Sequence, residues 1–145
     1  MEGAREVVVD ASVIIKWFSR ERDSEVAIRI RDEHVAGRLA IIAPDLMVYE
    51  VSNALRYNPS FGPDDVRGAI RDIFDMDLDL IAPNEEVLGK AIEHASKLGL
   101  TVYDACYIAL AESMGLELIT GDEKLYGKAK ELGFVRYLGE MGGRS

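Results

Sequence analysis

The 145-residue chain predicts an α/β fold, with a five-stranded, mostly parallel sheet carrying helices on both faces. Two observations support this. Short apolar runs, such as Val7 to Val9 and Leu39 to Ala43, alternate with longer helical stretches that stop at glycines, the pattern of strands joined by crossovers. The stretch from Leu100 to Leu125, LTVYDACYIALAESMGLELITGDEKL, reads as helix, glycine stop, strand and turn. Its helix is apolar almost all round, so it needs cover on most sides. A layered domain supplies that cover.

Taken in order, Glu6 to Asp10 is a β-branched run ending in an acid, which suits a buried parallel strand. Ser12 to Phe18 reads as a turn or two of helix, and Glu21 to Ala36 as a second helix stopped by Gly37. Leu39 to Ala43 is the next strand. Pro44 then sits near the start of a helix running to about Tyr57, a position proline tolerates. Asn58 to Pro63 is a loop, and Pro63 opens a helix to about Asp75. Leu78 to Ile81 is a weaker strand, and Asn84 caps a helix through Leu98. A helix from Tyr103 to Met114, a strand from Leu116 to Thr120 and a helix from Glu123 to Leu132 follow. Phe134 to Leu138 is the fifth strand, and residues 139–145 read as a loose tail. No repeat or linker divides the chain, so residues 1–145 read as one domain.

Composition narrows the function. Apolar residues make up 48% and charged residues 30%, as in an ordinary globular chain. One cysteine and no secretory leader point to a cytoplasmic protein. There is no glutamine and only three asparagines, a scarcity of thermolabile amides that points to a heat-adapted source. The net charge of −9 argues against coating nucleic acid by bulk attraction. It does not exclude an enzyme whose acids hold divalent cations, because the cations then carry positive charge to the substrate.

Four acids stand out by position. Asp10 ends an apolar strand, Glu50 falls inside the apolar arc of its helix, Asp104 opens the buried helix and Asp122 follows the fourth strand. Each has a plainer reading. Asp10 and Asp122 can cap the helices behind them. Thr101 and Asp104 match a capping box, and Glu50 can pair with a basic side chain at the arc's edge. In an open parallel sheet, however, the crevice lies beyond the strand ends where strand order reverses. If the first and fourth strands are neighbours, Asp10 and Asp122 share it. Gathered carboxylates repel unless cations neutralise them, and all-oxygen ligation suits Mg²⁺ or Mn²⁺ rather than zinc. His34 and His94 offer no ligand spacing and read as solvated residues near helix ends. Cys106 reads as core, and Trp17 as core or rim. Lys16, Arg20, Arg22, Arg29, Arg31 and Arg56 are candidates for the basic walls an RNA groove needs, or for an ordinary solvated surface.

VVVDASVIIKW, PDLMVYEVSNAL, TVYDACYIALAE and LITGDEKL, in this order from about Val7 to Leu138, resemble PIN-domain proteins of the VapC toxin type. The resemblance implies a PIN-like three-layer α/β/α sandwich and a Mg²⁺- or Mn²⁺-dependent ribonuclease, the toxin of a VapBC-type toxin–antitoxin pair. It implies that Asp10, Glu50, Asp104 and Asp122 are the catalytic, metal-holding acids, with Ser12 and Thr120 as hydroxyl residues beside them. Glu123 is the nearest counterpart of a further acid the family sometimes carries, and Glu112 reads as structural. A VapB-type antitoxin across the groove and a homodimer are implied as well. The competing reading is a PIN-like RNA- or partner-binding module without nuclease activity. A phosphatase lacks its Asp-x-Asp here, and a receiver domain lacks an aspartate after the third strand, which runs out in Ile81-Ala82-Pro83.

Overall fold

The computed structural model describes residues 4–142. Its five strands are β1 (Arg5–Val9), β2 (Leu39–Pro44), β3 (Asp79–Ile81), β4 (Leu118–Thr120) and β5 (Val135–Tyr137). They form one all-parallel sheet in the order β3-β2-β1-β4-β5. The helices are α1 (Ala11–Ile15), α2 (Ser24–Val35), α3 (Leu46–Arg56), α4 (Pro63–Asp75), α5 (Glu85–Leu98), α6 (Val102–Met114) and α7 (Glu123–Ala129). They cover both faces, giving the expected α/β/α sandwich.

Each strand has a physical cause in the chain. Val7, Val8 and Val9 are fully buried, as are Ile41, Ile42 and Ala43 beside them, which fits a central parallel pair buried on both faces. Helix α6 packs on β1, β2 and β4, and α5 covers its outer side. Residues 105 to 111 of α6 are therefore all buried, as an all-round apolar helix requires. Thr101 caps its start and Gly115, at φ +68°, ends it in the left-handed conformation.

The differences from the expected elements are local. Pro44 is the last residue of β2, paired with Ile81, rather than the start of a helix. The second helix begins at Ser24, not Glu21, because Asp23 takes a left-handed φ of +67° and the Ser24 hydroxyl is spent on the turn before it. That hydroxyl accepts from the Glu21 amide at 2.9 Å and donates to the Ser19 carbonyl at 3.2 Å. The last helix tightens after Ala129 into a 3₁₀ turn, Lys130–Leu132. The expected loose tail begins inside another such turn, Leu138–Glu140, and Met141 packs on the core. Residues 143–145 of that tail lie outside the described residues.

His34 is not solvated. Its Nδ1 accepts the Ile41 amide at 3.1 Å and its Nε2 faces the Met76 carbonyl at 2.8 Å. The ring thus ties the end of α2 to β2 and to the end of α4. Nor is His94 the solvated residue expected: its side chain is 14% exposed and lies 2.9 Å from Glu112 across α5 and α6, a contact that fits a structural reading of Glu112. Trp17 is buried, with its indole donating to the Ala27 carbonyl at 2.8 Å.

Candidate active site

Strand order reverses between β1 and β4, which are neighbours although 108 residues of sequence separate their ends. The crevice beyond their C-terminal ends is the usual place for chemistry in an open parallel sheet. Val9 is in register with Ile119, so the next residues, Asp10 and Thr120, stand side by side. The Asp10 amide continues the ladder, donating to the Ile119 carbonyl at 3.2 Å.

Asp10 caps α1: its Oδ1 accepts from the Ser12 amide at 3.1 Å and from the Ser12 hydroxyl. The Ser12 hydroxyl in turn accepts from the Gly121 amide at 2.7 Å. The capping and site readings of Asp10 therefore coexist, and Ser12 links the β1 and β4 ends. Thr120 is fully buried. It hydrogen-bonds the Asp10 carboxylate, and its Oγ1 accepts from the Asp122 amide at 3.0 Å. Asp122 caps α7 with Oδ1, which accepts from the Lys124 amide at 2.9 Å and the Leu125 amide at 3.1 Å. Its Oδ2 takes no part in the cap.

Glu50 comes from α3 and Asp104 from the first turn of α6. Glu50 is half-buried and does have a partner, but a phenol rather than a cation: the Tyr107 hydroxyl donates to Oε1 at 2.5 Å. The Thr101 hydroxyl accepts from the Asp104 amide at 3.0 Å, so the capping motif is real.

Pairs of these acids lie within reach of one another's charge. Burial pushes Asp10 up to about 6, against the hydrogen bonds from Ser12, Thr120 and the Val13 amide, and the charge of Asp122 adds to the rise. Asp104 is raised by burial and by Asp122, with Thr101 and Lys128 opposing. Glu50 is raised by burial and by the charge of Asp104, while the Tyr107 hydrogen bond opposes. Asp10 and Asp104 both feel the charge of Asp122, and Glu50 feels that of Asp104. Unbalanced negative charge in a partly dry crevice is what such shifts signify.

The donors are carboxylates and hydroxyls, the chemistry a hard divalent cation takes. As the side chains stand, no three His, Cys, Asp or Glu among the described residues are close enough together to hold an ion. The crevice thus has suitable donors and an excess of charge, without a closed cage.

Tyr107 is the residue the sequence reading missed. It is buried, its hydroxyl donates to Glu50, and the same oxygen hydrogen-bonds the Ala11 amide. Burial, with the charges of Glu50 and Asp10, pushes its phenol far above the ordinary tyrosine value, so it stays a donor. The signal was its place one turn after Asp104, on a helix that carries no other polar group among residues 105 to 111. Of the basic candidates, Lys16 lines the crevice wall with Ser12, Gly121 and Asp122. Arg29 instead lines a hollow with Arg5, Arg38 and Leu39, and Arg31 pairs with Asp32 at 2.9 Å.

A PIN domain family model matches residues 7–131. The chain is 36% identical over 126 residues to ribonuclease VapC3 of Pyrobaculum aerophilum, covering 84% of this chain and 93% of that protein. It is also 36% identical over 93 residues to exonuclease VapC9 of the same organism, covering 64% of this chain and 68% of that protein. Among solved structures, PAE2754 of P. aerophilum superposes with a TM-score of 0.67 at 26% identity, covering 95% and 94% of the two chains. The sarcin–ricin-loop-cleaving toxin VapC20 of Mycobacterium tuberculosis has the same fold, with a TM-score of 0.67 at 15% identity over 89% of this chain and 96% of that one. With its sheet order, its strand-end acids and these relatives in view, the chain belongs to the PIN domain family, among the VapC-type proteins.

Proposed function

We propose that this protein is a metal-dependent ribonuclease and the toxin of a VapBC-type pair. The observation that supports this is the pairwise reach of the acids' charges at the sheet's switch point: Asp122 acts on Asp10 and on Asp104, and Asp104 acts on Glu50. Carboxylates raised by burial, and further by a neighbouring acid's charge, are relieved by a cation, and Mg²⁺ or Mn²⁺ fits their oxygen donors. We assign the holding of that cation to these four acids. When bound, such an ion lowers the pKa of water and neutralises charge on phosphate oxygens.

The chain's own residues do the rest. Ser12 and Thr120 hold the Asp10 carboxylate in one orientation, and Tyr107 does the same for Glu50. Outer partners of this kind fix the direction of ligand lone pairs. Thr101 and Thr120 hold the turns that carry Asp104 and Asp122. The raised carboxylates mean that protons compete with the cation, so activity should rise with pH through about 6, where Asp10 gives up its proton.

The decisive test is cleavage of structured and single-stranded RNA with Mg²⁺, with Mn²⁺ and with EDTA. Metal-dependent cutting that EDTA stops is expected. The alternative is a PIN-like RNA- or partner-binding module without nuclease activity. RNA binding with no cutting under any cation would establish that alternative. A VapB-type antitoxin, a homodimer and a cytoplasmic location belong to the same proposal. Several structural relatives are toxin–antitoxin complexes, including one from Klebsiella pneumoniae with a TM-score of 0.62 at 18% identity. Among the described residues no helix is long and apolar enough to cross a membrane.

A further inference from the structure

The crevice continues past the acids into a second compartment. A cavity of about 580 Å³ lies between α1 and the loop from Tyr57 to Pro59 that follows α3. Ser12, Gly121 and Asp122 form the wall it shares with the acid cluster, so whatever occupies it touches both. Lys16 is the cation on that wall. Its side chain is only 11% exposed, low for a lysine, which normally keeps its ammonium in water. Its one ion-pair partner among the described residues is Glu21, at a loose 3.4 Å, and the Glu21 side chain is 41% exposed.

Lys16 reaches this place because residue 121 has no side chain. A Cβ at Gly121 would come within 2.9 Å of Lys16 Cε and 3.2 Å of Ser12 Oγ. On the opposite wall, Tyr57 is 70% exposed, with the Arg56 guanidinium 4.9 Å from its ring centroid. The loop below it is built. Asn58 donates to the Ser19 hydroxyl at 3.1 Å and accepts the Ser60 amide at 2.9 Å. An ammonium and an exposed aromatic ring lining one cavity supply contacts for the two parts of one nucleotide: phosphate for the cation, base for the ring face that Arg56 leaves uncovered.

We propose that this cavity is a subsite for the nucleotide next to the cleaved bond, where Lys16 takes an RNA phosphate in place of the Glu21 carboxylate and the base stacks on Tyr57. The subsite rests on the reading of the protein as an RNA-acting PIN domain. Glu21 then acts as a resident anion, holding the ammonium in position until a phosphate displaces it. An exposed carboxylate at 3.4 Å is held weakly, so the exchange needs no rearrangement of the core. Lys128 does not compete for this role, because its ammonium donates to the Gly99 carbonyl at 2.8 Å and lies beside Asp104.

The test is fluorescence anisotropy of a short labelled single-stranded RNA with the full chain in Ca²⁺ buffer, over a series of salt concentrations, with cleavage in Mn²⁺ scored separately. Lys16→Met should weaken binding about tenfold and flatten the plot of log affinity against log salt by about 0.7, the share of one phosphate contact on a single strand. Lys16→Arg should restore the slope. Glu21→Gln should tighten binding by freeing the ammonium, and Tyr57→Ala should weaken it without changing the slope. A Lys16→Met protein that binds with the parent's affinity and slope would overturn the proposal, as would weaker binding by Glu21→Gln or no RNA binding by the parent. Lys16-dependent binding without cleavage would remove the nuclease reading alone. Cleavage with Lys16-independent binding would remove the subsite alone.

Discussion

Asp10 is buried at the end of β1, and its acidity is the most informative single property of the molecule. An aspartate ordinarily near 3.8 stands here at about 6 because burial outweighs the hydrogen bonds from Ser12 and Thr120. The native state therefore binds a proton between pH 4 and 6 that the unfolded chain has released. Stability falls as pH rises through that window, and above it the charged Asp10 costs on the order of 3 kcal/mol. Asp10→Asn should accordingly raise the melting temperature by several degrees at pH 7 in EDTA, and by nothing at pH 4, when followed by calorimetry. A lower melting temperature at pH 7 would mean that the hydroxyl hydrogen bonds win over desolvation. The same substitution should abolish metal-dependent cleavage, as should Asp104→Asn, by about a hundredfold or more each. Gain of stability with loss of activity is the mark of a functional acid held at a cost.

At the scale of elements, the site is made by turns that cross-link. The Ser12 hydroxyl and the Gly121 amide join the β1–α1 turn to the β4–α7 turn. Gly121 has no left-handed φ to require glycine; what it lacks is space, with Lys16 and Ser12 against it. Gly121→Ala should fold with a loss of about 1–2 kcal/mol while weakening RNA binding, because the flexible Lys16 stem yields first. Circular dichroism melts and anisotropy separate the two effects. Tyr107 plays the matching part for α3 and α6, with one hydroxyl serving Glu50 and the Ala11 amide. Tyr107→Phe should leave the packing of the ring intact and lower Mn²⁺ affinity by about tenfold, the usual loss for a ligand's outer partner, read by isothermal titration. Unchanged Mn²⁺ binding would reduce Tyr107 to a core residue.

At the scale of the whole molecule, the net charge is −9, and part of it lies on Asp10, Asp104 and Asp122 at the starts of α1, α6 and α7. A cation that binds there and not to the unfolded chain stabilises the fold by mass action, about 2.7 kcal/mol at a hundred times its dissociation constant. Mn²⁺ should therefore raise the melting temperature at pH 7 by several degrees, with EDTA reversing the gain and Asp104→Asn lacking it. No shift in the parent chain would count against a cation site at these acids, whatever the RNA does.

Strand and helix identity, the parallel sheet and the acid-bearing turns were all legible in the chain, because burial period, glycine stops and caps are local properties. Asp10, Thr101 with Asp104, and Asp122 each announced a helix start, and each is one. Local signals failed where a distant partner decided the outcome. His34 sits near a helix end like a solvated residue, yet it is claimed by Ile41 and Met76. Glu50 reads as an acid in need of a cation, yet its partner is the phenol of Tyr107, 57 positions away. Only the tertiary structure decides that β1 and β4 are neighbours, and with that which acids feel one another's charge, because strand order depends on how crossovers pack rather than on any stretch of residues.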